Sequence, residues 1–410
     1  MLEPQFKILL IDFGTSFTKV GYGGESEPVK ILKTPSLINL EEFFKDKSEN
    51  KNILSFLNTS HNKNLEIEEF ANKIINDVLQ IYKPDPKNIL NCYILFNLDL
   101  KENFHDIFTP FIKYIFESFT FITSIKILPK NIFPVFVSGF YSGIILNCGY
   151  SFSTITVVNN GLCVFKKNIG YSSIVLQKML YNKIINDVES GKNGNKLDEK
   201  NLELLKKNLI KYIDDIMVRI TYILNRKVSL EYRNIINSKE EQKENIIKLW
   251  FYDDLPKIKI GEWTRVLIGE KIFGENDENN FAYIVLKTLD ENLPCEIRRK
   301  IGSNIILSGG LTMIDGFYQR FNDEINFIID NNNKFLKLKG IKKDLKVHKI
   351  IYPRNILAWV GASLLFGSNK NSFPRNEVNR EEKEIEEGKK IVSKKIDIDE
   401  LNKIFDNLKI

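Results

Sequence analysis

The chain has 410 residues, enough for two domains that each bury a sizeable core, and its hydrophobic fraction of 43% with 29 phenylalanines indicates a globular protein. The net charge of +6 is spread along the chain, which argues against a nucleic-acid-binding patch, and the scattered cysteines and histidines predict neither a disulfide framework nor a zinc site. The longest apolar run, residues 132–146, is too short to span a membrane and no signal peptide is recognised, so we expect a cytosolic or nuclear protein.

A strand–turn–strand unit opens the chain. Ile8 to Ile11 is an apolar run typical of a buried strand, Asp12 ends it, and a strand-like pattern resumes from Phe17 to Tyr22. The turn between the strands consists of small or hydroxylated residues. Its backbone N–H groups can therefore approach an anion without steric hindrance.

The residues of this turn suit a phosphate site. Gly14, Thr15 and Ser16 can cradle phosphate oxygens. Lys19 can add a positive charge, and Asp12 can hold the water shell of a magnesium ion. The spacing matches neither GxxxxGK[ST] nor GxGxxG, so the unit taken alone is better interpreted as an ordinary β-hairpin.

The segment after the hairpin is polar. A strand is predicted from Lys30 to Leu37, and the asparagine-rich residues 41–64 show only weak periodicity. Apolar residues then recur at helical spacing from Leu65 to Leu79, and this helix ends before Pro84.

The rest of the chain alternates between strand and helix patterns, which indicates an α/β fold. Strands are predicted at residues 89–96, 121–128, 143–157 (a strand–turn–strand unit), 162–166, 304–307 and 348–352. Helices are predicted at residues 100–119, 130–141, 174–188, 197–226, 239–250, 281–293 and 358–366. The unit at 143–157 repeats the opening hairpin in outline, as in a duplicated domain that holds a ligand from both sides.

Two further features follow in the last third of the chain. Gly309 and Gly310 let the backbone pass close to a base or ribose, and Asp315 or Thr312 can cap the next helix. Residues 376–410 form a strongly charged tail with a helical apolar stripe at its end. This tail either packs on the body of the protein or docks to a partner.

Several stretches resemble the actin family and occur in that family's order. They are Asp12–Gly24, similar to the first phosphate loop; Leu255–Phe273; Ser308–Phe317, similar to the adenosine-binding turn; and Trp359–Leu364, similar to the penultimate helix. The resemblance covers about residues 6–370. It implies an α/β, actin-like fold in which two lobes, each with a mixed sheet flanked by helices, enclose a nucleotide cleft. Residues 1–137 with 354–410 would form the first lobe, and 138–353 the second.

The resemblance also implies a nucleotide site. ATP or ADP with magnesium would be held structurally by Asp12, Gly14, Thr15, Ser16, Phe17, Lys19, Gly149, Gly309, Gly310 and Met313. Family members hydrolyse ATP with a second aspartate pair, a glutamine and a histidine. Here Asn147 and Tyr150 occupy the aspartate positions, Thr154 the histidine position and Lys130 the glutamine position. Each loss lowers the rate by a factor of about a hundred or more, so we expect no catalytic residues and no metal-ligating residues.

A shortened interval gives the finer prediction. In the family, the segment corresponding to residues 37–64 is longer and builds the small subdomain that inserts into the next filament subunit. With the Cys148-Gly149-Tyr150 turn, its reduction resembles the actin-related subunits at the pointed end of dynactin. The resemblance implies a cytoplasmic, cytoskeletal cap that does not self-polymerise. Its partners would be actin or actin-related proteins at a filament end and other pointed-end subunits.

Two other functions remain open at this point. A nuclear actin-related subunit of a chromatin-remodelling complex is one, although such proteins usually carry insertions that this chain lacks. An active ATPase or sugar kinase of the same superfamily is the other, and Asn147 and Tyr150 argue against it.

Overall fold

Two mixed β-sheets form the framework of the protein. The computed structural model describes residues 8–36, 38–46, 62–81, 90–96, 111–237, 247–249, 252–274 and 280–367. These residues belong to one unit that ends at Gly367. No helix in these ranges is both long and apolar enough to cross a membrane. The predicted tail at 376–410 lies outside the described residues.

The first sheet contains five strands in the order β3-β2-β1-β4-β5. These are β1 (Ile8–Asp12), β2 (Phe17–Tyr22), β3 (Lys30–Lys33), β4 (Leu90–Phe96) and β5 (Ile122–Pro129). β1, β2 and β3 are antiparallel neighbours, whereas β4 runs parallel to β1 and β5 runs parallel to β4. The carboxyl ends of β1, β4 and β5 therefore lie at one edge of the sheet.

The second sheet has the order β11-β6-β7-β8. Its strands are β6 (Gly143–Cys148), β7 (Ser153–Asn159), β8 (Leu162–Ile169) and β11 (Ile305–Ser308). Asn147 lies opposite Thr154 in the β6–β7 hairpin, just as Asp12 lies opposite Lys19 in the β1–β2 hairpin. The predicted repeat of the opening unit is therefore present in the register of the strands. A small separate pair joins β9 (Ile247–Leu249) to β10 (Ile258–Ile260).

Helices flank both sheets. They are α1 (Leu40–Lys45), α2 (Asn62–Ile81), α3 (residues 111–118), α4 (Ser173–Glu189), α5 (Glu199–Ile220), α6 (Arg226–Asn237), α7 (Glu262–Ile272), α8 (Phe281–Glu291), α9 (Cys295–Gly302), α10 (Phe317–Asn331), α11 (Leu336–Lys339) and α12 (Leu357–Gly367). Lys130–Ser138 is a 3₁₀ helix directly after β5. Most of these elements match the predicted ones to within a few residues.

The 3₁₀ helix is held in place by α12. A Cβ atom at Gly361 would lie 1.9 Å from the carbonyl oxygen of Phe133, so only glycine permits this approach of the two helices. Trp359 is fully buried, and its Nε1–H donates to the carbonyl oxygen of Leu10 on β1 at 3.1 Å. Since Lys130 begins the 3₁₀ helix, this packing fixes its backbone beside the end of β1.

Four local predictions were wrong. The helix predicted at 197–226 ends at Ile220, because the following backbone pairs elsewhere: Tyr222 N–H donates to the Arg265 carbonyl, and Ile223 N–H to that of Asp315. In the predicted helix 239–250, residues 247–249 form a strand that pairs with β10, and the other residues lie outside the described ranges. Residues 348–352 form no strand; Val347, just before them, makes a single bridge to β11. Neither Thr312 nor Asp315 caps α10, which starts after Gly316, and the Thr312 hydroxyl donates to the Gly309 carbonyl instead.

α1 joins the two halves of the chain and was not predicted. Phe43 and Phe44 on α1 are buried, although the surrounding sequence is polar. The ring of Phe44 meets that of Tyr181 on α4 edge-on at 5.2 Å, and Lys178 Nζ lies 4.7 Å from the ring centre of Phe43. α1 follows β3 of the first sheet and α4 follows β8 of the second sheet. The contacts between α1 and α4 therefore connect the two parts of the chain that carry these sheets. Burying each phenylalanine contributes about 1.5–3 kcal/mol.

Candidate functional site

The two hairpin turns are built alike and touch each other. A Cβ atom at Gly14 would lie 2.3 Å from the carbonyl oxygen of Phe17, and one at Gly149 would lie 2.5 Å from that of Phe152. Each turn therefore requires glycine at its first position. The hydroxyl of Ser151 in the second turn donates to the Thr15 hydroxyl in the first at 3.0 Å. The sequence-predicted residues of the first turn thus meet the second turn directly.

The first turn contains backbone N–H groups that are available as hydrogen-bond donors. Among the described residues, the N–H groups of Gly14, Thr15 and Ser16 have no hydrogen-bond acceptor. Phe17, also a predicted site residue, is 40% exposed at the start of β2. Three adjacent donors of this kind can bind the oxygens of an anion.

A buried charge cluster lies next to this turn. The carboxylate of Asp12 is almost fully buried and contacts two ammonium groups: Lys130 Nζ lies 2.5 Å from Oδ1, and Lys19 Nζ lies 3.3 Å from Oδ2. Burial by itself would raise the pKa of Asp12, but the two lysines outweigh it and hold the pKa below its usual value. Burial lowers the pKa of Lys19, and Asp12 offsets this only in part.

The residues present do not fit a magnesium ion. Both oxygens of Asp12 already contact lysine ammonium groups, and the equivalent position in the second hairpin is the neutral Asn147. Among the described residues, no group of three histidine, cysteine, aspartate or glutamate side chains could hold a metal ion. A cation beside Asp12 would have to displace Lys130 and would then lie near a second positive charge.

The second hairpin contains no carboxylate and no histidine. Burial and the charge of Asp214 both raise the pKa of Tyr150, so its hydroxyl stays protonated. Asp214 itself accepts a hydrogen bond from Gln177 Nε2 at 2.6 Å. Thr154 is fully buried, and its hydroxyl has no hydrogen-bond partner among the described residues.

The predicted adenosine turn lies beside the second hairpin. Gly309 has φ +96°, and a Cβ atom there would lie 2.2 Å from the carbonyl oxygen of Cys148. Gly310 has open space where a side chain would be, and Met313 is 42% exposed. The Met313 sulfur accepts the N–H of Arg354 at 3.2 Å. The structure therefore brings Gly149 and Gly309 together, while Met313 lies at the surface.

The contact between Lys130 and Asp12 was missed by sequence reasoning. Its signal was present, because Lys130 lies two residues after the predicted strand 121–128, and Asp12 ends β1. Carboxyl ends of parallel strands meet at the same edge of a sheet. What the sequence did not reveal was that the lysine side chain turns toward the carboxylate.

Comparisons with known proteins agree with this architecture. Residues 265–397 match the family model Actin. The chain is 25% identical over 417 residues to putative actin-29 of Dictyostelium discoideum, which covers 94% of this chain and 96% of that protein. It is 22% identical over 408 residues to actin-related protein 10 of the same organism, covering 87% of this chain and 82% of that protein.

The fold is actin-like, as the two mixed sheets flanked by helices and the family match indicate. Residues 265–397 are similar to the Actin family model, and the chain is similar along most of its length to putative actin-29 and to actin-related protein 10.

The charge cluster predicts a strong coupling between Asp12 and Lys130. Asp12→Ala leaves two buried ammonium groups without a counter-charge and should lower the free energy of unfolding by about 3–5 kcal/mol. Adding Lys130→Met to Asp12→Ala should recover part of this loss, because one unpaired charge is removed. Urea unfolding of the wild type, the single variants and the double variant measures the coupling.

The matched control is Lys113→Met, which removes an exposed lysine that pairs with Glu117 on α3. It should change the stability by less than about 0.5 kcal/mol. Strict additivity of Asp12→Ala and Lys130→Met would contradict the coupling.

Proposed function

We propose that this chain is a non-catalytic actin-related subunit that ends a short actin-like filament instead of extending it. The observation that carries the proposal is the packing of α1. In the family that the chain resembles, the segment after β3 belongs to the small subdomain that inserts into the next subunit. Here Phe43 and Phe44 of this segment are buried against α4 of the same chain.

Buried aromatic rings cannot at the same time serve as an inserting surface. Exposing both phenylalanines for a neighbour would cost about 3–6 kcal/mol of their burial within the chain. Filament contacts are heterologous, so each subunit uses one face for the subunit before it and another for the subunit after it. A subunit in which this segment is short, and in which α1 packs on its own chain, would retain one usable face.

The proposed partners follow from this geometry. The chain would bind the pointed end of an actin or actin-related filament and contact the other subunits that gather there, in a dynactin-type complex of the cytoplasmic cytoskeleton. The similarity to actin-related protein 10 supports this assignment. The ion pairs of Asp12 and the neutral residues at positions 147, 150 and 154 support a role without ATP hydrolysis.

The absence of turnover can be measured directly. Purified protein with magnesium and γ-labelled ATP should release phosphate no faster than buffer, because positions 130, 147, 150 and 154 carry none of the aspartate, glutamine or histidine side chains that the resembled family uses for hydrolysis. Asp12→Ala serves as the control for contaminating activity. Multiple turnover by the wild type that Asp12→Ala abolishes would contradict the proposal.

Capping is tested with filaments whose barbed ends are blocked. The wild type should slow pointed-end elongation and, alone at high concentration, should remain in the supernatant on sedimentation. Grafting a full-length inserting segment between Leu37 and Asn64 should restore growth beyond the cap. A graft of equal length made of glycine and serine is the matched control. Long filaments formed by the wild type alone would contradict the proposal.

A further inference from the structure

We propose that the first hairpin turn binds the phosphate chain of a nucleotide without a divalent cation, with the ammonium group of Lys130 in the role of the metal. The inference concerns ligand chemistry and does not depend on the capping function. It rests on three features: the position of Lys130, the unfilled donors of the first turn and the net charge of the cluster.

Lys130 occupies the place where a cation would bridge Asp12 and a phosphate. Its Nζ lies 2.5 Å from Asp12 Oδ1 and 3.7 Å from the position that a Cβ atom would take at Gly14. The ammonium group therefore lies between the carboxylate and the turn. The Lys130 side chain is 17% exposed, in contrast to the 1% of the Asp12 side chain. An ammonium group has three donors, and one contact to Asp12 leaves others for phosphate oxygens.

The fold holds the lysine there. The 3₁₀ helix that begins at Lys130 is packed against α12 through the close contact of Gly361 with the Phe133 carbonyl. This packing restricts where the side chain can reach. A preorganised charge loses less conformational freedom on binding than one that must be recruited from solvent.

The cluster has the charge that a phosphate chain requires. Asp12 carries one negative charge, whereas Lys19 and Lys130 together carry two positive charges, so the three groups sum to +1 when ionised. The N–H groups of Gly14, Thr15 and Ser16 add donors that have no acceptor among the described residues. Backbone donors and a nearby ammonium bind phosphate oxygens by charge-assisted hydrogen bonds.

The neighbouring turn favours a nucleotide over a free phosphate. Gly309 lies against Cys148, one residue before Gly149 of the second hairpin. The open space at Gly310 leaves the backbone accessible to a sugar or a base. The ligand class is therefore a nucleoside di- or triphosphate, held at its phosphates by the first turn and the two lysines.

The test is ATP binding by isothermal titration calorimetry with EDTA and, separately, with excess magnesium chloride. The full-length wild type should bind with dissociation constants that agree within about threefold in the two buffers, since the chain itself supplies the neutralising charge. Inorganic tripolyphosphate should bind in EDTA as well, but more weakly than ATP.

The Lys130→Gln variant distinguishes a phosphate site neutralised by lysine from one that requires magnesium. In EDTA, this variant should bind ATP at least about tenfold more weakly than the wild type, because one charge-assisted contact is lost. Magnesium should restore much of the affinity, because Asp12 Oδ1 is then free for the water shell of the ion. Lys113→Gln, which removes an exposed positive charge from α3, should behave as the wild type.

Lys130→Arg keeps the positive charge and should bind ATP in EDTA, which keeps the test decisive even if Lys130→Gln folds poorly. Three results would overturn the proposal: wild-type binding that requires magnesium, no wild-type binding in either buffer, or equal affinities of Lys130→Gln and the wild type in EDTA. Capping is measured separately, so failure here is distinguishable from failure of the filament-end role.

Discussion

The contact between Lys130 and Asp12 is the interaction on which the site depends. A carboxylate buried to this extent needs compensating charge, because its transfer out of water otherwise costs several kcal/mol. Two lysines from the same half of the chain supply that charge. Asp12 can therefore stay ionised at the end of β1 without any ligand. The first turn just beyond Asp12 is held by Thr34, whose N–H donates to the Ser16 carbonyl and whose hydroxyl donates to the Gly14 carbonyl.

The position of Lys130 depends in turn on packing far from the turn. Trp359 of α12 donates to the Leu10 carbonyl on β1, and Gly361 allows the 3₁₀ helix to approach α12 closely. These contacts tie β1 and the segment carrying Lys130 to one helix. A change in that core would therefore move the lysine relative to the carboxylate. The packing of α12 therefore influences the position of Lys130 and, with it, the charge beside Asp12.

Contacts within the chain also join its two halves. Ser151 donates to Thr15 between the two turns, and the rings of Phe44 and Tyr181 meet between α1 and α4. Both contacts are made by side chains of the chain itself.

The sequence predicted those parts that depend on local patterns. The hairpins at Asp12 and Asn147 and the helix at Trp359 follow from apolar periodicity and turn residues, and they agree with the structure. Features that depend on distant partners were missed. Phe43 and Phe44 lie in a polar segment and are buried only because α4 is there to receive them. The break after Ile220 likewise comes from hydrogen bonds to the carbonyls of Arg265 and Asp315.

The central claim is that Lys130, and not a metal ion, neutralises Asp12. Anomalous diffraction from crystals grown with ATP and manganese, recorded above and below the manganese edge, tests it most directly. The account predicts that Lys130 Nζ contacts the Asp12 carboxylate and that no manganese peak lies beside it. A manganese ion between Asp12 and a phosphate oxygen, with the Lys130 side chain turned away, would contradict it.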